Sequence, residues 1–125
     1  MLRTAPIYSY IPVADIDRAR HFYEHVLGFI PGEQTEGGIT YPCGLGTAFF
    51  MYKSAGAGTS KASTAFWMVG DIEAEAANLR ERGVVFESYD MPGVKTVNGI
   101  ATGGGAKAAW FKDTEGNILA IIQRM

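Results

Sequence analysis

His21 and His25 stand four residues apart, a spacing that brings two imidazoles to one side of a helix and that holds zinc in helical HExxH sites. Here Phe22, Tyr23 and Glu24 lie between them, and both histidines fall off the apolar stripe made by Ala19, Tyr23 and Val26. The pair is therefore expected on a solvated helix face. The single cysteine, Cys43, would be a nucleophile only if a neighbouring base or helix N-terminus lowered its pKa. Its context is Tyr41-Pro42-Cys43-Gly44, without a nearby histidine, so a loop or buried thiol is expected. Gly103-Gly104-Gly105 would cradle a phosphate only between a strand and a following helix. The residues after it read as a strand, which makes the run a hinge.

These residues belong to a chain of 125, the length of one domain. Apolar residues make up 47%, enough for a packed core and the opposite of the balance that keeps a chain disordered. Eleven basic and 13 acidic residues give a net charge of −2 and alternate without blocks, so no phosphate-neutralising surface for nucleic acid is expected. The apolar runs are strand-sized, short of a membrane span. The first residues lack the apolar core of a signal peptide, and one cysteine gives no disulfide framework. The expectation is a soluble cytoplasmic protein with no nucleic-acid or membrane partner.

The elements that position side chains come in two sets. Val13-Ala14-Asp15-Ile16-Asp17 recurs as Val69-Gly70-Asp71-Ile72-Glu73, 56 residues on. Each copy follows an apolar run and opens a segment with helical spacing, carried by Ile16, Ala19, Tyr23 and Val26, then by Ile72, Ala76 and Leu79. Asp15 and Asp71 are placed to cap the first turns, with Asp17 and Glu73 favourable to the helix dipole. Gly28 and Gly83 stand where a left-handed residue stops a helix. Strand character follows at 29–34, 39–42 and 48–53, then at 84–89, 107–112 and 118–123. Each half thus reads as strand, helix and about three strands, in module one (about 6–53) and module two (about 64–123), with a glycine-rich connector at 54–63. Neither half buries its apolar sheet face alone, so one α+β unit is expected.

The run Tyr8-Ser9-Tyr10-Ile11-Pro12-Val13-Ala14-Asp15-Ile16-Asp17-Arg18-Ala19, leading to Phe22-Tyr23 and Leu27-Gly28, resembles the vicinal oxygen chelate superfamily. That group includes glyoxalase, bleomycin-resistance proteins and extradiol dioxygenases. Phe111-Lys112-Asp113-Thr114-Glu115-Gly116-Asn117-Ile118 resembles the family's Asp-Pro-Asp-Gly-Asn turn, with Thr114 and Glu115 as variants. The resemblance implies two βαβββ modules curving around a shared cavity, helices outside, and pairing as a homodimer. Metal-dependent members place ligands at four strand positions, which fall here at Tyr8, Met51, Thr64 and Ala120. None is a histidine or carboxylate, so no metal and no cofactor are expected.

In the family's register, alternation sends Tyr8 and Tyr10 into the cavity, with Phe49 and Met51 on one inward face and Thr64, Phe66 and Met68 on another. Ala120 and Ile122 line the last strand, and Trp110 lies near it. Such a pocket, apolar and edged by hydroxyls, suits a small aromatic or apolar ligand. Residues 89–106 read as a long loop carrying Met91, Val94, Lys95, Val97 and Ile100, placed to fold over the cavity or onto a partner subunit. Three functions fit. The first is a metal-free small-molecule binder of the bleomycin-resistance type. The second is a glyoxalase-like lyase or other enzyme of the same superfamily without the usual metal, using Tyr8 or Tyr10 as proton donor and Lys112 or Lys95 to stabilise an anion. The third is a non-catalytic interaction module with a filled cavity.

Overall fold

The computed structural model describes all 125 residues. Strand β1 (Ser9–Val13) leads into helix α1 (Ile16–His21), which continues as a wider π-type turn over Phe22–Val26. Strands β2 (Gln34–Thr35), β3 (Gly38–Pro42) and β4 (Ala48–Lys53) complete the first sheet, in the order β1-β4-β3-β2. Strand β5 (Ser63–Met68) and helix α2 (Ile72–Glu81) open the second set. It closes with β6 (Asp90–Met91), β7 (Val94–Val97), β8 (Ile100–Gly103), β9 (Ala106–Lys112) and β10 (Ile118–Arg124), in the order β5-β10-β9-β8-β7-β6. In both sheets the first strand pairs in parallel with the last, as a strand–helix crossover requires.

The expected helix starts are present. The Asp15 carboxylate accepts from the Arg18 N–H at 3.0 Å, and that of Asp71 from the Ala74 N–H at 3.1 Å. Each cap supplies an acceptor for an otherwise orphan first-turn donor. The stripes are buried where spacing predicts, at Ala19 and Tyr23 and at Ile72, Ala76 and Leu79.

Two expected strands are not formed as such. Of residues 29–34, only Gln34 enters a strand, and 84–89 contributes only a bridge from Phe86 to Phe111. The expected loop at 89–106 is instead a meander, β6 to β8, that widens the second sheet to six strands. Its cause is local. Asn98 and Gly99 have φ of 54° and 79°, the two positive values of a type I′ turn, whose twist matches paired strands. Gly93, at φ 84°, turns the preceding hairpin in the same left-handed region.

Side-chain hydrogen bonds between the two halves concentrate at the β9–β10 turn. The Glu115 carboxylate accepts from the N–H groups of Ala14 and Asp15, both at 2.9 Å, and from the Arg18 guanidinium at 2.9 and 3.0 Å. Asp113 accepts the Tyr23 hydroxyl at 2.6 Å and the Asn117 N–H at 2.8 Å, while the Asn117 amide donates to the Pro12 carbonyl at 2.7 Å. Gly58, at φ 71°, crosses so close to the Glu115 carbonyl that a Cβ there would overlap it. The Arg18 guanidinium, helped by the backbone donors and Thr114, outweighs burial and holds the Glu115 carboxyl at about 2, below its ordinary 4.5.

Because that pKa is lowered on folding, Glu115 contributes stability that is complete above its ordinary value and drains away as pH falls from about 4.5 toward 2. Glu115→Gln is expected to lower stability at pH 7 by roughly 1.5–3 kcal/mol, the range for a hydrogen-bonded charged group. It should also flatten the acid limb of the stability–pH curve. Urea unfolding at a series of pH values checks both; an unchanged acid limb would remove Glu115 from this role.

Candidate functional site

Strand alternation divides the sheets into a helix side and an open side. Ser9, Ile11 and Val13 sit opposite Phe49, Met51 and Lys53 in the β1–β4 register, and Ile11, Val13, Phe49 and Met51 are all buried in the core. The expectation that Phe49 and Met51 share the inward face with Tyr8 and Tyr10 is therefore corrected. Pairing puts Tyr10 opposite Phe50 and Pro12 opposite Tyr52, so the residues sharing the open face are one step along β4. The Tyr10 ring meets those of Phe50 and Tyr52 edge-on, with centroids 5.9 and 4.8 Å away. Phe49 instead stacks on Tyr41 at 4.9 Å, beneath Tyr23 at 5.4 Å.

In the second sheet the pairing of β5, β10 and β9 sets the rows. Phe66, Ala120 and Trp110 lie in one cross-strand row, with Met68, Ile122 and Ala108 in the next. Ala120 is 1% exposed whereas Phe66 is 56% exposed; a methyl between two large rings is covered by them, since directly paired side chains are about 5 Å apart. Thr64 is half-buried on β5, the extra residue of an irregularity in which Ser63 pairs with Ile118 and Ala65 with Leu119.

The edge strands β1 and β5 approach one another, and where they meet there is a cleft of about 660 Å³. Tyr8 at the entry to β1 and Phe66, Trp67 and Met68 of β5 form its walls, while Cys43, Leu45 and Thr47 from the turn between β3 and β4 form its rim. Ten of its 13 lining residues are hydrophobic. Phe49 reaches its floor, where its ring meets Trp67 edge-on at 6.0 Å. Burial pushes the Cys43 thiol up, against hydrogen bonds from Trp67 and Phe49 that favour the thiolate, so the neutral thiol is the form presented at neutral pH.

Of the residues placed at the cavity from the sequence, the cleft brings together Tyr8, Phe49, Phe66 and Met68. Tyr10, Trp110 and Ala120 lie on the open sheet faces and, like Thr64, outside the cleft, and Met51 is fully buried in the core. Met91 and Val94 belong to β6 and β7 and do not cover the cleft. Lys95 points to the helix side of its sheet, and Lys112 lies 3.6 Å from Glu87; neither joins Tyr8 at one centre. The residues not anticipated are Ile7, Cys43, Leu45, Thr47 and Trp67. Leu45 had a readable signal, since the flanking glycines of Cys43-Gly44-Leu45-Gly46 mark a tight turn; it is fully exposed and left-handed at φ 56°.

His21 and His25 are both exposed, with ring centroids 5.0 Å apart. The four positions implied for a metal carry a phenol, a buried thioether, a hydroxyl and a methyl. That donor set does not fit a divalent cation, and no three His, Cys, Asp or Glu side chains converge elsewhere. No helix is long and apolar enough to cross a membrane.

The sheet order and the parallel first-to-last pairing repeat in both halves of the chain. The chain belongs to the Glyoxalase/Bleomycin resistance protein/Dioxygenase superfamily, whose family model matches residues 4–121. Among solved structures, it is similar to TnmS3, an antibiotic binding protein from Streptomyces sp. CB03234, at 22% identity and a TM-score of 0.71, over 100% of this chain and 99% of that one. A putative glyoxalase family protein from Bacillus anthracis is 15% identical, with a TM-score of 0.71 over 97% of both chains. Oxidase ChaP-H2 is 18% identical, with a TM-score of 0.69 over 98% of this chain and 94% of that one. At these identities the likeness is one of fold, and it spans binding proteins and enzymes alike. No curated protein matches the chain.

The register makes a sharp distinction between two phenylalanines. Phe49→Ala, emptying a core position, is expected to cost about 3–5 kcal/mol. Phe66→Ala, on the open face, is expected to cost the fold of the single chain under about 1 kcal/mol, measured at protein concentrations where the chain is monomeric. Equal losses in denaturant titration would overturn the assignment of faces.

Proposed function

We propose that the protein is a metal-free small-molecule-binding protein that takes a small, flat aromatic or apolar ligand in the cleft between β1 and β5. The carrying observation is that cleft, about 660 Å³ in volume and dominated by hydrophobic residues. Its size falls within the range of small-molecule sites, which pair an apolar lining with a few polar groups. Phe66 and Trp67 offer rings for stacking, a contribution of about 0.5–1.5 kcal/mol per aromatic pair beyond area burial. The Tyr8 hydroxyl supplies an orienting hydrogen bond. Binding here asks for no proton transfer, which agrees with a wall whose only ionisable groups are the Tyr8 phenol and the Cys43 thiol. The fold shared with an antibiotic binding protein supports the same reading.

The open faces also favour pairing of two copies. Tyr10, Phe66 and Met68 are 65, 56 and 54% exposed, and large apolar side chains left exposed together are a surface for association. In a homodimer each open face would be covered by the other copy, closing the wet side of the cleft.

A flat aromatic dye such as 1-anilinonaphthalene-8-sulfonate, followed by Trp67 quenching and by thermal shift, tests the binding reading. Saturable binding is expected, weakened about tenfold or more in Phe66→Ala and in Tyr8→Ala, as for loss of a stacking or hydrogen-bonding anchor, and unchanged by EDTA. Binding abolished by EDTA and restored by a divalent ion would refute the metal-free reading. Light scattering is expected to give twice the 13.5 kDa chain mass, reverting to the single-chain mass in Tyr10→Lys/Phe66→Lys.

A further inference from the structure

The second sheet has one helix for six strands, and α2 packs on β9 and β10. The helix side of β7 and β8 is consequently left uncovered. Between α2 and that hairpin runs a groove of about 560 Å³, on the opposite face of the sheet from Phe66 and Trp110. Its cations are Arg80 from α2, Lys95 from β7 and Lys107 from β9, with Glu73 the one carboxylate among its lining residues. Glu73 is already bound to Lys107 at 2.8 Å. Neither Arg80 nor Lys95 takes part in an ion pair; Asp90, the cross-strand neighbour of Lys95, forms none with it. On a chain of net charge −2, the groove gathers an excess of two positive charges.

The arrangement is ordered as well as charged. The Arg80 guanidinium lies 5.1 Å from the Phe86 ring centroid and donates to the Asn98 carbonyl in the β7–β8 turn. That holds the planar fork in place while leaving its other N–H groups free, and a fixed guanidinium suits the geometry of a phosphate. Val97, 66% exposed, and Ile100 give the floor an apolar strip beside the charges. The Thr102 hydroxyl adds a donor at the same floor.

We propose that this groove is a second ligand site, taking a phosphorylated small molecule whose phosphate lies between Arg80 and Lys95 and whose apolar body rests on Val97 and Ile100. It is independent of the cleft, being built from other strands and the other face.

Calorimetric titration with phenyl phosphate, inorganic phosphate and benzoate at constant ionic strength tests the assignment. Phenyl phosphate is expected to bind tightest: its dianionic phosphate can engage both Arg80 and Lys95 while its ring lies on the apolar strip, whereas benzoate brings a single negative charge and inorganic phosphate no apolar body. Lys95→Gln and Arg80→Gln are each expected to weaken it about fivefold or more, the scale of one charge-assisted contact. Lys95 is exposed, so its variant keeps the test valid even where loss of Arg80 loosens the hairpin. Lys61→Gln, in the connector, is expected to leave the affinity unchanged. Val97→Ser should bring phenyl phosphate down to the level of inorganic phosphate. Benzoate binding as tightly as phenyl phosphate, affinity indifferent to Lys95→Gln, or no binding by wild-type protein would each overturn the proposal.

Discussion

Two buried carboxylates in one turn hold the molecule's halves in register. Asp113 and Glu115 sit between β9 and β10, yet most of what they hold lies in the first half: the Tyr23 hydroxyl, the backbone N–H groups entering α1, and the Arg18 guanidinium. A buried carboxylate is costly unless its lone pairs are taken up. Here no buried side-chain polar atom is left without a partner. The same bonds that satisfy the carboxylates therefore fix where α1 begins, which in turn fixes β1 and the cleft at its entrance. Tyr23 links this turn to the core: its hydroxyl is bound by Asp113 and its ring packs against Phe49 and Tyr41.

From that anchor, the division of labour between faces follows. Each sheet has its helix on one side, and the side chains directed there (Ile11, Phe49, Met51, Ile121) become core. The alternate positions remain open and carry an unusual density of rings for exposed strands. A cleft opens where the two sheets meet edge to edge, because neither sheet supplies side chains to fill the seam beyond Phe49 and Trp67.

Much of this was legible in the chain itself. The duplicated Val-x-Asp-Ile motif located both helix starts and both buried stripes, since capping and helical periodicity are local properties. The resemblance carried by residues 8–28 and 111–118 implied the paired-module architecture that the sheets display. Two things resisted. The first was register: whether Phe49 or Phe50 points inward depends on a one-residue choice, and two adjacent phenylalanines make the alternation ambiguous. The second was the meander at 89–106, where weakly apolar strands hid the Asn98-Gly99 turn signal. The cleft's rim at Cys43, Leu45 and Thr47 was beyond reach for another reason, being made by a turn meeting a strand about 20 residues further along the chain.

The meander also breaks the internal symmetry left by duplication. Only the second half bears the extra hairpin, so the two faces of its sheet are separate territories served by alternate residues of the same strands. Substitutions at Lys95 or Val97 leave Thr96 and its cross-strand partner Ala101 untouched on the reverse. Distant positions with no shared partners contribute nearly additively. Lineages descending from this chain could therefore retune what the charged trough accepts without disturbing the greasy seam, giving evolution two dials that turn independently.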